Sequence, residues 1–268
     1  MKNRYTLVAF LSFLLCLLIG ITSTISLYIP NFYSKETPNW QIQCIGQDYI
    51  NLFVIVPFLL LSIFSFLIGK KIALFLWAGS VLYLLYTYII YCFDVHFNIF
   101  FAIYCLILSI CFYLLIYFFY LQTRSSNFTQ PASGLKKTIG FYFITLSILF
   151  YGLWLSDIFP AIFNNTVPKS LTDIGLPTNA VQVIDLSVVL PGMFITGILL
   201  LKNKLLGFIV APILLTFFVL MDITIGTLNI FMFQNGLTSS IPIAVVMAVL
   251  AIGSSLLLIF YFKKKKAI

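Results

Sequence analysis

Chemistry has few places to reside in this sequence: 7 acidic residues, one histidine, 5 cysteines and 15 tyrosines are set in an otherwise apolar chain. Five aspartates, Asp48, Asp94, Asp157, Asp185 and Asp222, fall at or just inside the same ends of apolar runs, so they can converge on one outward-facing vestibule that binds a hard cation or carries a proton. Asp222 is the sharpest of them. Phe217 to Met221 precede it and Ile223-Thr224-Ile225-Gly226 follow, leaving no cationic neighbour one turn away to neutralise it. A carboxylate inside hydrocarbon costs roughly 2.5–3.5 kcal/mol on insertion scales and tends to take up a proton or a cation. Asp48 and Asp185 also suit N-capping, since each begins an apolar run directed inward. On a helical wheel centred on Tyr83, the residues Gly79, Ser80, Tyr86, Thr87, Tyr91 and Asp94 fall within an arc of about 140°. That stripe predicts a cavity lined by Tyr83, Tyr86 and Tyr91, although a tyrosine at a helix end also suits the interfacial aromatic belt.

Other chemistries are excluded by what is missing. His96 is the only histidine, so a three-histidine zinc site cannot form, and its place between Asp94 and Asn98 reads as an exposed connection. The sequence contains no G-x-S-x-G, H-E-x-x-H or P-loop, so neither a cofactor nor a resident metal is implied. Cysteines 16, 44, 92, 105 and 111 include no C-x-x-C, and only Cys44 and Cys92 are expected near the outer face where a disulfide can form.

The elements that must position these residues follow from composition. Of 268 residues, 62% are hydrophobic, 18% aromatic and only 8% charged, and the mean hydropathy is +1.12. A soluble domain carries about 25% charge, so this chain reads as an all-α polytopic membrane bundle. Runs near 5–29, 50–69, 72–93, 97–121, 139–160, 183–202, 205–227 and 239–262 are each close to the ~20 residues that cross the hydrocarbon, which predicts eight helices. Stretches such as Ile99 to Leu106 lack the alternation of a transmembrane barrel. The first run is longer than a signal-peptide core and has no A-x-A site, so it is expected to remain as a span.

Charge sets the expected orientation. With the N-terminus inside, Lys2, Arg4, Lys70, Lys71, Arg124, Lys136, Lys137, Lys202, Lys204 and Lys263 to Lys266 share one side, and only Lys35 and Lys169 lie opposite. The inner side then carries +13 and the outer side −5, which predicts cytoplasmic termini. The net charge of +8 gathers on no polar domain, so nucleic acid is excluded as a partner, and the terminal lysines are expected to rest on anionic lipid headgroups.

Shifting the sequence by half its length of 268 aligns Pro57 with Pro191, Lys70 with Lys204 and Asn51 with Asp185, with a long outer loop after the first and fifth spans. Four spans per half would make 1–134 and 135–268 parallel repeats within one membrane domain. Span eight adds Ala244, Ala248, Ala251 and Ser255, a small-residue stripe that predicts close helix packing.

Gly46-Gln47-Asp48 leading into Pro57, the run Leu82 to Tyr88 with Tyr91 and Phe93, and Asp185-Leu186 with Leu190-Pro191 make the chain similar to a family of uncharacterised bacterial multi-pass membrane proteins. The resemblance covers most of the chain, does not include Asp222, and implies a bacterial inner membrane and eight helices without any activity. The leading expectation is transport of a small solute or cation through the outer carboxylates and Tyr83, Tyr86 and Tyr91. A membrane enzyme acting on a lipid or lipid-linked substrate, and a non-catalytic sensor or assembly partner, are the alternatives. A polar path reaching the cytoplasmic side would favour transport, a dead-end outer pocket flanked by an opening to lipid would favour the enzyme, and lipid-facing or unpaired carboxylates would favour a partner role.

Overall fold

The computed structural model describes residues 2–123, 131–237 and 241–263. Arg124 and Lys264 to Lys266, four of the residues that set the expected orientation, lie outside the described residues, as do the side chains of Lys2 and Arg4. The elements are α1 (Lys2–Tyr28), α2 (Pro38–Ile50), α3 (Val56–Leu67), α4 (Lys71–Phe93), α5 (Phe101–Thr123), α6 (Ser133–Phe163), α7 (Lys169–Ile174), α8 (Ala180–Ile184), α9 (Leu190–Leu201), α10 (Leu205–Gln234) and α11 (Ile241–Lys263). Two π-helical turns, Asn51–Ile55 and Asp185–Val189, join α2 to α3 and α8 to α9. Among the described residues there is no strand, and eight helical spans are long and apolar enough to cross a bilayer, as the sequence predicts. The protein is a multi-pass membrane protein.

The second span differs from its expected limits. It begins at Pro38, twelve residues before the apolar run starts, because Thr37 caps the amide of Trp40 and Pro38 supplies a ready-made first helical turn. Asp48 therefore lies inside a helix and caps nothing. Asp185 is no N-cap either: Asn179 caps α8 through Gln182, and Asp185 opens the π turn. The seventh span runs on to Gln234, which sets Asp222 12 residues before its C-terminal end, about 18 Å of helix rather than the terminal turn.

Both π turns have the same cause. Pro57 and Pro191 offer no N–H and crowd the carbonyl four residues back, so the turn before each is widened. The amides of Val56 and Leu190 then reach Asn51 and Asp185, five residues earlier. The carbonyl of Leu186, left with only Pro191 opposite, accepts the Tyr151 hydroxyl at 2.6 Å instead.

Other features recur at the same spacing. Left-handed residues occur at Asn31 and Asn165, and again at Gly69 and Asn203. The tight turns close alike, Lys70 N–H on Ser65 at 3.1 Å and Lys204 N–H on Leu199 at 2.9 Å. Packing follows suit: α1 on α3 matches α6 on α9, α3 on α4 matches α9 on α10, and α4 on α5 matches α10 on α11. The two sets meet along α4 and α10, the most enclosed spans. Gly79 makes that approach close, since a β-carbon there would press on the Ile213 carbonyl at 2.8 Å and on Thr216.

Candidate functional site

A chamber of about 420 Å³ opens where these two sets of helices meet, in the half of the bundle towards the acidic loops. Its wall comes from α2 and α4 on one side and from α6, the second π turn, α10 and α11 on the other. Gln47 and Val181, Thr87 and Met221, Ile90 and Thr224, Tyr91 and Ile225, and Val95 and Asn229 all line it, each pair occupying matching positions in the two halves of the sequence. Towards the lysine-rich end the bundle is filled by Phe143, Met193, Phe208, Leu215 and Tyr261, whose hydroxyl donates to the Phe208 carbonyl at 2.7 Å. The chamber is closed on that side.

Most of the wall is aromatic or aliphatic, and the charged groups on it are Asp185 and Asp222. The first π turn has no acidic counterpart, because Asn51 occupies the matching position. Asp185 is held by the Trp154 indole N–H at 2.9 Å and the Tyr86 hydroxyl at 3.1 Å. Asp222 is only 6% exposed and accepts no hydrogen bond from any described residue. Gln47 lines the chamber and gives its amide protons to Tyr83 at 2.8 Å and Asn51 at 3.0 Å, while Tyr83 pairs with Thr224 at 2.8 Å. Two carboxylates of unequal satisfaction, facing aromatic rings and amides, can hold a cation with an apolar body.

The expected single vestibule of five aspartates is not formed. Asp185, Asp222, Tyr86 and Tyr91 border the chamber, and Tyr83 stands behind its wall. Asp48 is buried apart, accepting from Tyr33 at 2.6 Å, from Tyr91 at 2.8 Å and from Ser26. Burial and the nearby Asp48 carboxylate push the Tyr33 phenol above its ordinary pKa, which keeps it a donor to that carboxylate. Asp157 accepts from Ser170 and is within 3.5 Å of the Gln182 amide. Asp94 caps α8 from a distance, taking the Ala180 N–H at 2.9 Å, and burial raises its carboxyl to about 6.

His96 is half-exposed, as its loop position implied, but it pairs with the buried Glu36 at 2.9 Å. Cys44 lines the chamber and Cys92 instead lies 4.0 Å from Cys105, so the two cysteines expected near the outer face do not meet. Among the described residues no three His, Cys, Asp or Glu side chains gather to hold a metal ion. Residue-type reasoning missed Trp40, Gln43, Trp154 and Asn229, which also face the chamber. A helical wheel of the stretch from Pro38, had it been read as helix, would have put Trp40, Gln43, Cys44 and Gln47 on one face.

No protein-family model, curated protein or solved structure matches the chain.

Proposed function

We propose that this membrane protein is a carrier for a small cationic solute, which binds in the outer chamber against Asp185 and Asp222. The observation that carries the reading is the position of the chamber: it sits across the junction of two sets of helices, with five matched pairs of residues on its wall. Carriers built from repeated halves bind their substrates at such junctions, beside interrupted helices, and the second π turn brings Asp185 to this one. The two halves of the sequence, 1–134 and 135–268, are accordingly read as a duplicated four-span unit with its axis along the membrane normal. The membrane is the bacterial cytoplasmic membrane, with both termini cytoplasmic, by the lysine distribution and the family resemblance.

In this reading the filled lysine-rich half is the closed gate of an outward-facing state. Rocking of one half against the other about the Gly79 crossing would close the chamber outside and open it inside. Asp185, already satisfied by Trp154 and Tyr86, orients the cation, and Asp222 supplies the uncompensated charge that binds it.

A single cysteine at Met221, on the chamber wall, tests the reading with the native cysteines replaced by serine. A membrane-impermeant cationic thiol reagent is expected to label Met221→Cys from outside in right-side-out vesicles and from inside in inverted ones. Labelling from one face alone, in every condition tried, would make the chamber a dead-end receptor site.

A further inference from the structure

Asp222 borders a second space. Between α10 and α11, on the outside of the bundle, a groove of about 500 Å³ is floored by Gly226, Ala244, Ala248, Ala251 and Ser255. Its rims, Ile223, Ile230, Ile252 and Leu256, are exposed apolar side chains at the depth of the hydrocarbon. The small-residue stripe on α11 was expected to seal helix against helix. It does pack α11 closely on α10, with Ala251 buried and a β-carbon at Gly226 meeting Met247 at 3.6 Å and the Ala244 carbonyl at 3.7 Å, and its small side chains also leave room for the groove alongside. Met247 and Ile243, on the adjoining face of α11, line the chamber, so the α10–α11 contact separates groove from chamber. Asp222 belongs to both.

Asp222, which borders this groove, is a residue only 6% exposed, has no hydrogen-bond partner among the described residues, and is in reach of a molecule lying in the outer membrane leaflet. No lysine, arginine or histidine lines either space. An occupant that matches both features carries a positive head for Asp222 and an alkyl body for the isoleucine rims.

We infer that the substrate is an amphipathic cation that reaches Asp222 sideways from the lipid through the α10–α11 groove. The inference rests on the carrier reading and adds to it a substrate class and a route. It also accounts for a chamber filled on its lysine-rich side and flanked by an opening to lipid without invoking bond-breaking chemistry.

The test uses the full chain in nanodiscs of neutral phosphatidylcholine, with two probes of the same head: dodecyltrimethylammonium, kept below its micellar concentration, and tetramethylammonium. The long-chain probe is expected to bind at least tenfold more tightly than the short one, and Asp222→Asn to weaken both at least tenfold. Ala248→Phe, which fills the groove, should weaken the long-chain probe by a similar factor and leave the short one unchanged. The rim variant Ile252→Trp covers the case in which Ala248→Phe does not fold, and should slow association of the long-chain probe only. If tetramethylammonium binds in an Asp222-dependent way but the chain adds nothing and both groove variants are silent, the lateral route is wrong and the carrier reading stands. If neither probe binds the wild type, the carrier reading fails with it. A crosslinker placed at 252 that captures one defined membrane polypeptide, with the probes indifferent to the groove, would overturn the inference in favour of a partner helix.

Discussion

At the scale of single residues, the described carboxylates divide by how completely they are satisfied. Asp48 has three hydroxyl donors, Glu36 has both the backbone and the ring of His96, and Asp94 has the first amide of α8; all three hold the fold together. Asp185 is satisfied yet faces the chamber, and Asp222 is left without a partner among the described residues, which singles it out for a ligand. Asp94 carries a prediction of its own. Its carboxyl is raised from 3.8 to about 6 by burial, so the folded protein holds a proton there that the unfolded chain releases. The stability associated with that proton is fully present below about pH 4 and is lost as the pH rises through about 6. Asp94→Asn keeps an oxygen for the Ala180 amide and removes the titration. Thermal melts of wild type and Asp94→Asn should therefore diverge between pH 4 and 6.5, with the wild type losing stability relative to the variant. Parallel curves across that range would show that Asp94 does not titrate in the fold.

At the scale of elements, interruptions matter as much as helices. The spans themselves were legible in the sequence because length and hydropathy suffice for a segment that must satisfy its own backbone in lipid. The first twelve residues of span two were not, since Asn39, Gln41 and Gln43 dilute the apolar signal, although Thr37-Pro38 already has the form of a helix start. The prolines were legible as a matched pair, but their effect, a π turn that leaves Asp185 facing Trp154 and Tyr86, depends on residues about a hundred positions apart or drawn from another helix. Partners such as Tyr33 for Asp48 come from a loop that no local pattern ties to α2. Glycine substitutions separate structural crossings from open positions. Gly79→Ala and Gly197→Ala would each place a methyl within 2.8 Å of a backbone carbonyl, of Ile213 and Gly140 respectively. Each should destabilise by about 1–3 kcal/mol. Gly152→Ala and Gly192→Ala meet nothing within 4 Å and should be neutral, or stabilising by up to about 1 kcal/mol. Chemical-denaturant titrations in detergent that ranked the four alike would show that the α4–α10 and α6–α9 crossings are looser than drawn.

At the scale of the whole molecule, matched turns, matched π segments and matched helix neighbours are what a duplicated unit would produce, and the chamber lies where the two sets of helices meet. The matched placements were legible at Pro57/Pro191 and Lys70/Lys204, while residue identities alone were too sparse in so apolar a chain to carry a repeat. Orientation is checked by reporter fusions. Those after Lys71, Lys137 and Lys204 should read cytoplasmic and one within the 164–179 connection external; the reverse pattern would turn the chamber towards the cytoplasm. The claim on which the rest depends is that a cation crosses by way of Asp222. Its most direct measurement is the current evoked when a tetramethylammonium concentration step is applied to proteoliposomes on a solid-supported membrane. Wild type should give a saturable current of inward positive charge, and Asp222→Asn should abolish it while eluting and melting like the wild type. A current of the same size and saturation from Asp222→Asn, or none from wild-type protein that is folded and reconstituted, would contradict it.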